Sequence, residues 1–452
     1  MKHRLRLLPL CVALSATPLL AGTPAEALRA ADPGEAPAAL PPPLPDLQRL
    51  DAPPTDADLA QALARWREAN RRVAEFPRGH MDLLRWEAAR APAPAPAPPT
   101  PAPAKPLTLA EALNMSLRER PDLFTHTGMN PLEQARVRVA FAGHVRALQQ
   151  AWIDAVALRA SAQLSADVLD TARTGTELGR RMVQAGNWPH ARLLQEQRIE
   201  AEAWRAQGDA TLAAQAALER LAALLGLWRA AEVQALFERL PDALPAPPER
   251  MTPPAPDASP EAAALRGDPS LAIERDQAER MFTGLPEGRW DAWARERDAA
   301  LEAMPAPDGS TATPPHLGDL RLLREQRPMQ AEEHRARLLR MASERRAMAR
   351  LAWSQLAVRH AQARHADQVI APLGDELQQD MQRRVNGMLE STWTLLASAR
   401  ERSAGLRTAV MARRDYWRAQ AAWQALLAGD GFAIDAPSGA GDAPTSGAGT
   451  PH

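Results

Sequence analysis

Proline is nearly absent from two long stretches of this chain and crowded almost everywhere else. A proline inside a helix removes a backbone donor and clashes with the preceding turn, at a cost of about 3 kcal/mol. Its distribution therefore marks where long helices can run. Of 42 prolines, twenty lie between Pro9 and Pro106; only Pro189 falls between Pro131 and Pro241, and only Pro372 between Pro328 and Pro437. The two sparse stretches predict an all-α fold built from long helices.

The chain opens as an export signal. Lys2, His3, Arg4 and Arg6 form a basic start, Leu7 to Leu20 an apolar segment, and Ala25-Glu26-Ala27 an A-x-A cleavage site. The lone cysteine, Cys11, lies inside that signal, so the mature chain has no disulfide, thiol nucleophile or cysteine-based metal site. Beyond residue 27 no run approaches the ~20 apolar residues of a membrane helix. After cleavage 51 basic residues face 54 acidic ones, a net charge of −3. That balance gives no excess to neutralise phosphates, which argues against nucleic acid as a partner.

Residues 28–106 read as a Pro/Ala-rich arm, with short helices at 56–75 and 81–90 carrying Trp66 and Trp86. From Leu132, Phe141, Val145, Leu148, Trp152 and Val156 recur at helical spacing, and alanine between them favours close helix approach. Gly186-Asn187-Trp188-Pro189 interrupts the pattern: glycine can end a helix, Asn187 can cap the next, and Pro189 suits its first turn. Block one is a long antiparallel hairpin that closes at Leu224-Leu225-Gly226.

The second block repeats the first. Ala151-Trp152, Ala157-Leu158-Arg159, Ala166-Asp167 and Gly186 find echoes at Ala352-Trp353, Ala357-Val358-Arg359, Ala366-Asp367 and Gly387. The block then closes at Leu426-Leu427-Ala428-Gly429. Thr108 and Glu111 form a capping box before block one, and Ser259-Pro260-Glu261 opens a helix before block two. The expected organisation is 1–27 signal, 28–106 arm, 107–240 first repeat, 241–258 Pro-rich linker, 259–429 second repeat with an irregular insert at 281–328, and 430–452 a disordered tail.

Leu107-Thr108-Leu109-Ala110-Glu111-Ala112-Leu113 followed by Arg120-Pro121-Asp122-Leu123 resembles the opening of TolC-like outer-membrane efflux proteins. Gln184-Ala185-Gly186 with Leu193-Leu194, and the closing Leu221 to Leu227, are similar to that family's hairpin and block-ending motifs. The resemblance implies tandem helical hairpins in a homotrimeric conduit of the cell envelope, at the outer membrane or in the periplasm. Its partners would be a periplasmic adaptor and, through it, an inner-membrane pump. Carried over by position, the hairpin tips that meet the adaptor are Ala185, Gly186 and Asn187 in the first repeat and Asn386, Gly387 and Met388 in the second. The family also has barrel strands, two per repeat. Only Phe124 to Asn130 follow the first opening segment, and prolines break 281–328, where Trp290 and Trp293 keep helical spacing. The sequence thus carries the helices with little or no β-barrel.

Catalysis has little to work with. There is no H-E-x-x-H, G-x-S-x-G or phosphate-binding glycine loop, and His360 and His365 are five apart, a poor pair of ligands on a helix. The expectation is no catalytic residue, no cofactor and no metal. Carboxylates alternating with arginines read as solvated ion-pairing faces. Met341 with Met348, and Met381 with Met388, sit seven apart; methionine at that spacing fills a coiled-coil core more readily than it binds copper(I). Two functions remain: the conduit, or a periplasmic helical scaffold or binding protein derived from the same repeat without pore function.

Overall fold

The computed structural model describes residues 106–118, 120–184, 188–227, 230–251, 259–304 and 324–432, with isolated positions at 28, 32–34, 64 and 67. The signal, nearly all of the arm, and the tail beyond Phe432 lie outside the described residues. Among those described there is no strand. The fold is all-α, and no described helix is long and apolar enough to cross a membrane. The residues group into two compact units, one containing Glu261–Ala347 and the other the preceding repeat together with the chain from Met348.

In the larger unit, α1 (Leu109–Arg118) opens with the expected capping box. Thr108 Oγ1 accepts from the Glu111 amide at 3.2 Å, and Glu111 Oε2 accepts from the Thr108 amide at 3.1 Å. A 3-10 turn at Pro121–Leu123 leads to α2 (Pro131–Gln184), 54 residues long and so about 80 Å. A second box starts α2, Asn130 with Glu133, at 2.9 and 2.8 Å. α3 (His190–Leu224) returns along α2, and α4 (Ala230–Arg239) follows. Pro189 holds the N-cap position of α3, one residue ahead of the first turn expected for it.

Alanine dominates what α2 buries. Ala142, Ala151, Ala155, Ala157 and Ala172 are buried with Leu148 and Val156, while Phe141, Val145 and Trp152 of the sequence stripe are only half-buried. Small side chains let backbones approach closely, so they take the contact and the larger ones are left at its margin.

The smaller unit holds α5 (Pro260–Gly267), α6 (Pro269–Thr283), α7 (Arg289–Ala303) and the start of α8 (Gln326–His365). Leu265, Leu271, Ala278, Leu338 and Ala342 form its core, with Leu28 packed against them. Asp268 caps α6, accepting from the Ser270 and Leu271 amides, and pairs with Arg345. Glu261 is buried on Arg346 at 2.7 Å. The insert at 281–328, expected to be irregular, contains α7. Trp290 and Trp293 stack on that helix at 5.4 Å, with Trp293 buried.

The second hairpin continues from α8 through a π-helical stretch (Ala366–Ile370) and α9 (Ala371–Asn386), then returns as α10 (Thr392–Leu427). Trp353 meets Trp423 at 5.4 Å and His360 meets Tyr416 at 5.5 Å, an antiparallel pairing centred in both cases on residue 388. In the first hairpin Leu193 sits against Gly179, a pair centred on residue 186. The two hairpin centres reproduce the sequence repeat.

Both blocks close with the same helix stop. At α3 the Leu227 amide donates to Ala222 O and the Gly226 amide to Ala223 O; at α10 Asp430 donates to Ala425 O and Gly429 to Leu426 O. This is the Schellman arrangement, with Gly226 (φ 73°) and Gly429 (φ 99°) in the left-handed position. Asp430, expected to begin a disordered tail, is instead fixed by Arg146 Nε at 2.7 Å.

Solvated pairs within single helices occur as expected, Arg198 with Glu202 and Arg384 with Asp380 among them, but other charged residues lace the helices together. On α10, Arg414 and Arg418 face Asp154 of α2, Arg400 faces Glu196 of α3, Arg413 holds Asp367 and Arg402 holds Asp375. All but the Arg402 pair are less than one-third exposed. Burial raises the carboxyl pKa of Asp154 and Asp367 against the opposing pull of their arginines. The linker from Pro241 is also tied down. Its carbonyls at 241, 245 and 248 accept from Arg159 at 2.9 Å, Trp417 at 2.9 Å and His360 at 2.7 Å.

Candidate hairpin-tip interface

Ala185, Gly186 and Asn187 lie outside the described residues. At the second tip Asn386 ends α9, Gly387 follows with φ −81°, and Met388 has φ 58°. The Met388 amide donates to Val385 O at 3.0 Å and the Leu389 amide to Arg384 O at 2.8 Å. This is the same Schellman stop that closes α3 and α10, but here the left-handed position carries methionine. Gly387, the residue whose type suits that position, sits one place early. A side chain there costs about 1 kcal/mol through its Cβ.

Met388 is 71% exposed and Leu389 79%, the most exposed large apolar residues among those described. The seven-residue spacing from Met381 therefore does not place Met388 in a core, because it lies beyond the end of the helix. Ser391 restarts the chain as N-cap of α10, its Oγ accepting from the Thr394 amide at 3.2 Å. The turn is held by hydrogen bonds on both sides and presents two apolar side chains to solvent.

The ends of the two hairpins are joined beside this turn. Trp188 and Trp393 meet at 4.1 Å between ring centroids, and the Arg192 guanidinium lies 4.1 Å from the Trp188 ring. Gly179 makes room for them, since a Cβ there would come within 3.2 Å of Trp188 and 3.4 Å of Leu193. One turn further, Gly175 leaves space for Glu196 and Leu396. Charge on the α2 side is settled locally. Hydrogen bonds from Arg181 at 3.0 Å and Arg180 at 2.5 Å lower the Glu177 pKa.

Nothing in the repeat register announces this clasp. Trp188 follows Gly186 by two residues, but Trp393 follows Gly387 by six, so equivalent positions do not pair. The signal in the sequence was the Gly175–Gly179 spacing, a pair of small residues on one helix face. Histidines, cysteines and carboxylates form no group of three able to hold a metal among the described residues.

No family model and no curated protein matches the sequence. Some solved structures are similar to it in fold. The chain is similar to CusC, with a TM-score of 0.45 and 11% identity over 70% of this chain and 74% of that one. It is similar to the CmeC outer membrane channel of Campylobacter jejuni, with a TM-score of 0.46 and 11% identity over 66% of this chain and 65% of that one. It is also similar to the MtrE outer membrane channel of Neisseria gonorrhoeae in its open state, with a TM-score of 0.42 and 14% identity over 66% and 68%.

Proposed function

We propose that this chain is the outer component of a tripartite efflux or secretion system, a passive conduit of the cell envelope without chemistry of its own. The observation that carries this reading is a pair of apolar stripes on different helices that are left exposed among the described residues. On α3, Leu194, Trp204 and Leu212 are 50%, 64% and 68% exposed. Ala201, Gly208 and Ala216, also exposed, continue their line. Leu351 and Val358 on α8, with Leu373 and Leu377 on α9, form the second stripe. Monomeric proteins rarely leave such seams uncovered. Two different stripes suit head-to-tail association, which closes into a ring, rather than a two-fold pair that uses one patch twice. A homotrimeric ring of tandem hairpins is the architecture the conduit needs.

Adaptor docking is assigned to the tips, Ala185, Gly186 and Asn187 with Asn386, Gly387 and Met388, and Leu389 extends that surface. An exposed apolar pair on a strained turn is the kind of feature that persists where a partner covers it. The adaptor in turn joins the conduit to an inner-membrane pump. Placement follows the export signal: the outer membrane, or the periplasm beside it.

A photo-crosslinking residue at 389, in cells expressing the full chain, tests both points. The expected result is an adduct with a periplasmic adaptor, and an oligomer in the outer-membrane fraction. A monomer confined to the soluble periplasmic fraction, with no adduct, would favour a periplasmic scaffold instead.

A further inference from the structure

The π-helical stretch at Ala366–Ile370 borders a cleft of about 620 Å³ between α2, α8 and α10. π-Helical turns are rare and frequently mark functional positions, and this volume lies within the range of small-molecule sites. Leu158, Ile370 and Met411 give the cleft an apolar wall, while Arg359, His365 and Arg407 bring cationic or cation-capable groups to it. The carboxylate among the lining residues, Asp415, is already engaged by Arg359 and Arg414.

Arg407 is the odd member of its helix. Arg400, Arg402, Arg413, Arg414 and Arg418 of α10 each face a carboxylate from a neighbouring element. Arg407 has no such partner among the described residues, yet it lines the place where the neighbouring helix widens into a π turn. The widening is itself held in place, because Arg413 Nε donates to both Asp367 oxygens at 2.8 and 2.9 Å. The cleft therefore combines a fixed π turn, an apolar wall and a cation without a counter-charge among the described residues.

We propose that this cleft binds a small amphipathic anion, a carboxylate or sulfonate on an aromatic or branched apolar body, with Arg407 taking the charge. The apolar body lies on Leu158, Ile370 and Met411. Arg359 and Arg414 offset the charge of Asp415, so that carboxylate does not repel the anion. The site is separate from the hairpin tips and needs no oligomer.

Titration of the purified mature chain with 1-naphthalenesulfonate tests the site, read by calorimetry and by ligand fluorescence. Binding saturates at one ligand per chain. Arg407→Gln weakens it by about tenfold, the scale of one charge-assisted contact, while Arg407→Lys keeps most of it. Arg205→Gln, an exposed arginine on α3, leaves binding unchanged, and neutral 1-naphthalenemethanol binds more weakly and ignores the Arg407 change. Absence of saturable binding overturns the proposal. So does equal loss from Arg407→Gln and Arg205→Gln, which would mean attraction to surface charge alone.

Discussion

Met388 occupies the backbone position that Gly226 and Gly429 hold at the other two stops of the same kind. All three share one hydrogen-bond scheme, yet only here does a side chain sit at positive φ. Replacing Met388 with glycine should stabilise the chain by about 0.5 kcal/mol, the left-handed strain relieved less the entropy that glycine adds to the unfolded state. Urea unfolding measures that gain. The same change should reduce adaptor crosslinking, since the exposed side chain is removed. His144 gives a pH signature. Ser116 Oγ lies 2.6 Å from its Nε2, and burial, reinforced by Arg120, lowers its pKa. The unfolded chain then binds more protons than the folded one as pH falls through the ordinary histidine range. Stability conferred by the neutral imidazole is thus full above that range and declines on acidification toward the lowered folded pKa. His144→Gln should flatten this part of a Tm-against-pH curve; an unchanged slope would place the titration elsewhere.

At the scale of elements, the clasp of Trp188, Trp393 and Arg192 joins helices that the sequence treats as separate hairpins. Trp393→Ala should loosen the first turns of α3 and α10 by about 1 kcal/mol, the scale of an aromatic pair, without unfolding the rest. Hydrogen exchange would then quicken by roughly fivefold in those turns only. Quickening along all of α2 would instead make the clasp part of the global fold. Helix existence, the two hairpins and their closing glycines were legible, because proline avoidance, helical period and left-handed stops are local constraints. The interhelical ion pairs were not. Asp154 and Arg418 are 264 residues apart, and only packing turns an apparently solvated arginine face into a buried lattice. The insert hid α7 for a different reason: prolines around it signalled breakage, while the tryptophans within it kept helical spacing.

For the whole molecule, the two exposed stripes predict assembly by unlike faces. Trp204→Glu with Leu212→Glu disables one stripe, and Leu351→Glu with Val358→Glu the other. Each variant alone should be monomeric by light scattering. Mixed, they should form a dimer and nothing larger, because each retains one intact and complementary face. Recovery of full-size oligomers on mixing would contradict head-to-tail closure. Monomer alone would show that the stripes do not meet each other.

Sequence alone determined that this chain makes two long hairpins about 200 residues apart, and where each block stops. Such features follow from backbone rules that act within a few residues: proline's missing donor, the helical repeat of apolar positions, and the freedom of Gly226 and Gly429 at positive φ. Tertiary structure decided which groups meet. It set alanine rather than Phe141 and Val145 into the α2 contact, paired the arginines of α10 with distant acids, and, among the described residues, left Arg407 without a counter-charge and Met388 and Leu389 without cover. Those outcomes depend on which helix faces come within reach of one another, a constraint that no local run of residues carries.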